Sequence, residues 1–399
     1  MCGRQDLNVF IRKKLKRINI FLCQKIESKD FLHNLSLISG TSGLALFFYE
    51  NDQLNPSAEL KKTCSKAIRH TFKFVEKATV LPASLSSGLA GWGWFLSYIR
   101  SPDAIYNETC AEIDPILLNE YNRFISAQNY DLLHGAIGIG LYLMKRQKYD
   151  SVEILLKALY SNGIYENGEV KWERYDSFNY QEHIIDFGFA HGVAGILAFV
   201  LKCYENNICK DLCIELMEKG FRFYQNNLNP SSKTGSFFPT KIQSRFYGSE
   251  VVHPSAMQSW CYGDLAISLI LLKISKALKD QEKERQVVQI LHQIVERRMV
   301  DEQKITDAGF CHGSSGIAYL YLKICKILPH RIFEQELDYW MSKLVGENTG
   351  FDFYLGENNG WGEVTGLLNG TTGTGMVLLS YLNRTSATGT AWDECLLLS

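Results

Sequence analysis

The chain has 399 residues, 46% of them hydrophobic and 21% charged, enough apolar material for a large core and a composition that argues against intrinsic disorder. Its 42 basic and 43 acidic side chains nearly cancel, so no whole-chain field exists to recruit nucleic acid or an anionic membrane. Eleven cysteines, an odd number at irregular intervals in a chain too long to need a disulfide framework, point to a reducing cytoplasm where cysteine serves as a thiol or a metal ligand.

The N-terminus carries Arg12, Lys13, Lys14, Lys16 and Arg17 and so lacks the uninterrupted apolar stretch of a signal peptide. No stretch approaches the roughly 18 to 20 apolar residues that span a bilayer. Apolar residues at three and four spacing predict a first amphipathic helix over residues 7–26, followed by Gly40-Thr41-Ser42-Gly43 and an apolar run. The alternation then repeats. Amphipathic segments over 60–77, 113–125 and 152–160 are followed by Gly88-Leu89-Ala90-Gly91, Gly135-Ala136-Ile137-Gly138 and Gly192-Val193-Ala194-Gly195. Those over 211–224, 282–298 and 332–344 are followed by Gly263-Asp264-Leu265-Ala266, Gly313-Ser314-Ser315-Gly316 and Gly370-Thr371-Thr372-Gly373.

Each glycine motif leads into a segment apolar on nearly every side, such as 265–272 or 376–382, as expected of a helix buried all round. Seven such inner helices alternating with seven outer ones, with no distinct polar capping repeat, predict a closed all-α fold, an α/α toroid spanning residues 1–399 as one domain. Glycine permits both a sharp turn and a close backbone approach where each inner helix begins, and the glycine pairs are expected together at one end. Two longer connectors interrupt the rhythm. Residues 161–189 contain the turn Glu166-Asn167-Gly168 followed by Val170 and Trp172, and residues 227–259 contain Gly235-Ser236-Phe237-Phe238 and Phe246-Tyr247-Gly248. Both predict short hairpins laid over one face.

Chemistry concentrates just before the glycines. Neighbouring residues on a helix point about 100° apart, so Cys311 and His312 can share one ion only from the turn before the helix, which Gly309 and Gly313 provide. Cys261 stands two before Gly263, as Cys311 stands two before Gly313. Equivalent positions of adjacent repeats in a ring are neighbours, so the two thiolates and the imidazole are expected to converge as a zinc site with one open position, the arrangement of catalytic zinc. Against this, a cysteine in a helical protein is most often a small core residue, as expected for Cys23, Cys64, Cys110, Cys203, Cys209, Cys213, Cys325 and Cys395. His191, directly before Gly192, and Asp131, four before Gly135, become acid/base candidates beside a metal, where otherwise they would be a satisfied histidine and a helix cap. His134 shares the register of His191 and competes for its role. Tyr262 is by default a packing residue whose hydroxyl finds a partner.

With Trp260-Cys261-Tyr262-Gly263, Cys311-His312-Gly313, Ala190-His191-Gly192 and the repeated glycine pairs, the sequence resembles the lanthionine synthetase C-like cyclases over nearly its whole length. The resemblance implies an α/α toroid with zinc held by Cys261, Cys311 and His312, and places His191 and Asp131 on the family's active-site histidine and aspartate and Tyr262 on the tyrosine after the first cysteine. One departure is Met257, where many members carry an arginine four residues before the first zinc cysteine; that arginine's role is filled otherwise or is absent. A milder one is Ala266 in place of a glycine.

The implied reaction is addition of a substrate cysteine, made thiolate by the metal, to the β-carbon of dehydroalanine or dehydrobutyrine in a dehydrated precursor peptide, with a proton then delivered to the α-carbon. His191 is the expected proton donor, with Asp131 orienting or tuning it. Two cysteine ligands leave the zinc site neutral overall, which keeps a bound thiolate nucleophilic. The implied partners are the precursor with its leader, a separate dehydratase, and an export transporter through which a cytoplasmic enzyme would associate with the membrane. Two other classes stay open: a member that adds glutathione or another small thiol to dehydrated residues, and a scaffold protein with structural zinc, against which three protein ligands rather than four argue. A glycosidase of similar architecture would show paired active-site carboxylates, which are not evident, and two cysteine ligands do not suggest a prenyltransferase.

Overall fold

The computed structural model describes residues 4–28, 31, 33–99, 103–176, 182–229, 235–243, 258–302, 305, 307–346, 351–355, 360–386 and 391–399. Helices alternate along it as the periodicity predicts. They are α1 (Arg4–Glu27), α2 (Thr41–Leu54), α3 (Ala58–Lys77), α4 (Leu89–Tyr98), α5 (Ala104–Ser126), α6 (Ala136–Lys145) and α7 (Tyr149–Ser161), then α8 (Val193–Glu205), α9 (Lys210–Asn226), α10 (Asp264–Leu278), α11 (Gln281–Glu296), α12 (Ser314–Ile327), α13 (Arg331–Gly346) and α14 (Thr371–Leu382). The even-numbered helices start directly after the glycines and are buried around their circumference; in α6 every residue from Ala136 to Met144 is buried. The odd-numbered ones bury a single stripe, as α3 does with Cys64, Ala67, Ile68 and Thr71.

The chain divides into two compact units, residues 1–117 with 305–397 and 399, and residues 118–304 with 398. In the first, α2 packs on α3, α12 on α13, α1 on α14, and the glycine-led helices α12, α14, α2 and α4 are successive neighbours. In the second, α6, α8 and α10 are successive neighbours, with α7, α9 and α11 packed against them.

The turn that opens each glycine-led helix has a recurring form. The first helical N–H bonds back to the carbonyl seven residues earlier, in Thr41 to Asn34, Leu89 to Pro82, Ala136 to Asn129, Ser314 to Asp307 and Thr371 to Val364. The loop curls so tightly that a Cβ on Gly91 would lie 1.9 Å from the Leu85 carbonyl oxygen, and one on Gly316 would lie 2.0 Å from that of Phe310. Close approach, rather than an unusual backbone angle, is therefore what requires glycine: Gly40, Gly88, Gly135, Gly192, Gly313 and Gly370 all have extended conformations. Gly263 differs, with a φ of 133°, in the repeat where Ala266 replaces the second glycine.

Neighbouring turns are stitched together within each unit. Phe310 and Cys311 N–H donate to Leu368 O, Leu367 N–H to Ile38 O and Ile38 N–H to Ser86 O; in the other unit Phe189 and Ala190 N–H donate to Cys261 O. Each acceptor is the residue two before a helix-opening glycine. This fixes the register of the residues flanking it.

Three features differ from the sequence reading. Helix α5 begins at Ala104, well before 113, and runs through Pro115; its first half is held by burial of Cys110 and by Tyr106 stacked on Phe72 with ring centroids 6.1 Å apart. The first connector does form the expected hairpin, β1 (Ile164–Glu166) with β2 (Glu169–Lys171), around Asn167 and Gly168 at φ 50° and 76°. It continues into β3 (Glu173–Asp176) and β4 (Glu182–Asp186), and the second connector adds β5 (Lys241–Gln243) to β4, making one three-stranded sheet instead of a separate hairpin. Its Phe246-Tyr247-Gly248 segment lies outside the described residues. A further hairpin, β6 (Asp352–Tyr354) with β7 (Trp361–Glu363), was not expected because its strands are only three residues long.

Gly91→Ala is expected to destabilise the fold by about 2 kcal/mol or more, since the new methyl has backbone to displace. Gly346→Ala, at the end of α13 with nothing within 4 Å, should leave the denaturation midpoint unchanged or raise it slightly. Urea unfolding of the two variants beside the parent protein checks this; equal midpoints for all three would refute the close-approach explanation.

Candidate active site and metal ligands

Asp131 lies in the turn between α5 and α6. Its Oδ1 accepts the N–H groups of Leu133 at 2.7 Å and His134 at 2.8 Å, so the cap it provides is to the turn, while Gly135 occupies the N-cap of α6 itself. Its Oδ2 receives Nδ1 of His191 at 2.5 Å. His191 stands one residue before Gly192, in the turn that opens α8, and α8 is the neighbour of α6. Packing of adjacent repeats thus brings together two side chains 60 positions apart.

Burial opposes charge on both partners, and the pair overcomes it. Burial favours neutral His191, but the hydrogen bond and negative charge of Asp131 outweigh it and hold the imidazole pKa above its ordinary value. Burial likewise opposes ionisation of Asp131, but His191 and the turn N–H groups bring the carboxyl below its ordinary range. With Nδ1 engaged by the carboxylate, Nε2 is the ring nitrogen left to exchange a proton with a ligand. The His134 ring lies parallel to that of His191 with centroids 6.3 Å apart.

Behind His191 is a second carboxylate that the sequence reading missed. Asp186 ends β4, six residues before Gly192, with its side chain only 2% exposed. Its Oδ1 accepts Gly188 N–H at 2.7 Å, and its Oδ2 accepts Nε and Nη2 of Arg174 at 2.9 and 2.7 Å and the Tyr262 hydroxyl at 2.8 Å. Tyr262 therefore has the hydroxyl partner expected of it, and burial together with the adjacent Asp186 charge raises its pKa so that it remains a phenol. A signal for Asp186 did exist: Asn34, Asn129 and Asp307 hold the same place six before a glycine and accept an N–H two residues on. Arg174 gave none, because it arrives on β3 through pairing with β4, opposite Ile184.

Cys261 lies in the turn before α10, half-buried, with Ser259 Oγ 3.6 Å from its sulfur. Three residues further on, Asp264 is fully buried and accepts Phe237 and Phe238 N–H, Ser236 Oγ and Arg297 Nη2, which ties residues 236–238 to the start of α10. Cys311 and His312 lie, as expected, in the turn before α12, both half-buried. Asp307 holds that turn by accepting Gly309 N–H at 2.7 Å and Tyr354 N–H of β6 at 3.0 Å. Cys261 belongs to one compact unit and Cys311 and His312 to the other, and all three are side chains of metal-ligating type. Two thiols and an imidazole are the donor set that suits zinc, and three protein ligands leave a fourth position open.

Of the cysteines expected in the core, Cys64, Cys110, Cys203, Cys213 and Cys395 are buried, while Cys23, Cys209 and Cys325 are half-buried. Met257 lies outside the described residues. No helix among the described residues is long and apolar enough to cross a membrane.

Residues 32–397 match the family model described as lanthionine synthetase C-like protein. The chain is 23% identical over 402 residues to the nisin biosynthesis protein NisC of Lactococcus lactis subsp. lactis, covering 93% of this chain and 90% of that one. Among solved structures it matches the nisin cyclase with a TM-score of 0.78 and 20% identity over 97% of both chains. That likeness shows the fold, the all-α, α/α-toroid class that the glycine-led repeats predict.

Asp131→Asn should lower the pKa of His191, because burial, the largest influence and a downward one, then remains against only the Asp186 charge, which raises it and is itself opposed by Arg174. The measurement is an NMR titration of the His191 imidazole. A pKa that stays put or rises would contradict the pairing.

Proposed function

The chain belongs to the lanthionine synthetase C-like family, and from that premise we propose that it is a zinc-dependent cyclase that closes thioether rings in a dehydrated precursor peptide. What supports the reading is the residue set Cys261, Cys311 and His312, each one or two positions before a helix-opening glycine, whose donor chemistry fits a zinc site with one position open to substrate. When bound, zinc supplies a Lewis acid that lowers a thiol's pKa, so that a substrate cysteine reacts as thiolate near neutral pH.

The protein's own residues do the rest. Cys261 is anchored through its carbonyl by Phe189 and Ala190 N–H, the two residues before His191. The ligand turn and the imidazole therefore share a backbone connection, which holds His191 in a fixed relation to Cys261. His191 delivers the proton to the α-carbon after sulfur has added at the β-carbon, since its Nδ1 is tied to Asp131 and its protonated form is favoured. Asp131 orients the ring and supports the imidazolium. Tyr262, bound to Asp186, stays neutral and lines the site as a fixed dipole. The substrate is a precursor peptide with its leader, already dehydrated by a separate enzyme, and handed on to an export transporter. A cytoplasmic setting is one in which cysteine serves as a thiol or a metal ligand.

Purified protein should carry one zinc per chain, lost in Cys261→Ala, Cys311→Ala and His312→Ala when metal is quantified by mass spectrometry. His191→Ala should keep its zinc and its fold yet lose ring closure by about 10²- to 10⁴-fold. In the activity assay a dehydrated precursor keeps its mass while its free thiols become unreactive to an alkylating probe. A gain of whole glutathione masses would instead identify a small-thiol transferase, and no change in thiol count would identify a scaffold. Ring closure should also persist below pH of about 8.5, the ordinary thiol pKa, where uncatalysed addition slows.

A further inference from the structure

We propose that Arg174 is a catalytic residue, holding the peptide carbonyl oxygen on which negative charge develops as the thioether forms. The inference rests on the cyclase reading and adds a residue to it. As the C–S bond forms at the β-carbon, the π bond between the α- and β-carbons breaks and its electron pair moves onto the adjacent carbonyl as an enolate. A proton delivered to the α-carbon then restores the carbonyl. The thiol loses one proton, the α-carbon gains one, and nothing else is consumed. Until that proton arrives, the oxygen bears charge that a fixed cation or donor must meet, and fixed donors at such an oxygen are among the largest contributions to catalysis.

His191 cannot meet it while protonating carbon, and the Tyr262 hydroxyl is already committed to Asp186. Arg174 is the cation beside them. Its charge reaches His191, where it opposes protonation. Its Nε and Nη2 converge on one oxygen of a carboxylate 2% exposed, itself fixed from its other side by Gly188 N–H, so the guanidinium plane has little freedom. With 27% of its side chain exposed, it remains accessible to a ligand. A guanidinium held by a buried anion and still partly exposed is preorganised to receive a developing oxyanion.

The competing explanation is that Arg174 only ties β3 to the turn before α8. Arg174→Gln alone would strand the buried Asp186 charge and so confuse the two. The informative variant is the double replacement Arg174→Gln with Asp186→Asn, since Asn34 and Asn129 show that asparagine serves in the same turn position. The probe is a dehydrated, cysteine-containing precursor, with kcat and KM measured for parent and variants and folding followed by thermal unfolding. We expect the double variant to fold and to lose kcat by about 100-fold with KM within about threefold, and Arg174→Lys to recover part of that loss. A double variant with parental kcat, or with only KM raised, overturns the assignment. Failure of the parent protein to form thioethers in the same assay would overturn the proposed function, and this assignment with it.

Discussion

The structure depends on one steric constraint, the approach of each helix-opening glycine to the backbone of its own turn. At Gly88 and Gly192 the nearest carbonyl oxygen, that of Pro82 and of Asp186, lies where a methyl would need to be. Because the turn closes this tightly, the residues just before the glycine present their N–H and C=O groups to the next turn, and within each unit these join in the same register. The backbone geometry that accommodates the glycines is thus also the geometry that places residues two, one and four positions before them. Cys261, Cys311, His191, His312 and Asp131 all occupy such places.

A second regularity lies in buried carboxylates. Asp186, Asp264 and Asp307 each accept several hydrogen bonds from loops that have no helix or long strand to hold them. Burying a charge is costly unless it is fully bonded, so each acid specifies a single loop arrangement. For Asp264 burial raises the pKa despite Arg297 beside it, a sign of how completely that loop excludes water. Asp131 serves a different end: half of its carboxylate fixes a turn, and the other half is given to an imidazole. One residue therefore joins the architecture to the chemistry.

The division of labour among cysteines follows from their surroundings. Cys64 and Cys213 donate to main-chain carbonyls inside the core, and burial pushes both thiols up to about 12, which suppresses reactivity. Cys261 and Cys311 instead sit half-buried in turns, each two residues before a helix-opening glycine. The same residue type is inert in one setting and a candidate ligand in the other.

The sequence alone determined the alternation of helices, their two kinds of burial and the turn positions of Cys261, Cys311 and His312, because helical period, glycine spacing and position relative to a helix start are local properties. It also marked His191 and Asp131 by their place in the repeat, although it offered His134 as an equal of His191. Only the tertiary structure showed that the Asp131 carboxylate meets His191. It alone revealed Asp186 and Arg174, and it alone joined two connectors into one sheet, with β5 hydrogen-bonded to β4 across the intervening α8 and α9. Strands of three to five residues carry too little pattern to name their partners. Which donor meets which carboxylate is settled when distant segments pack, and no periodicity along the chain records that choice.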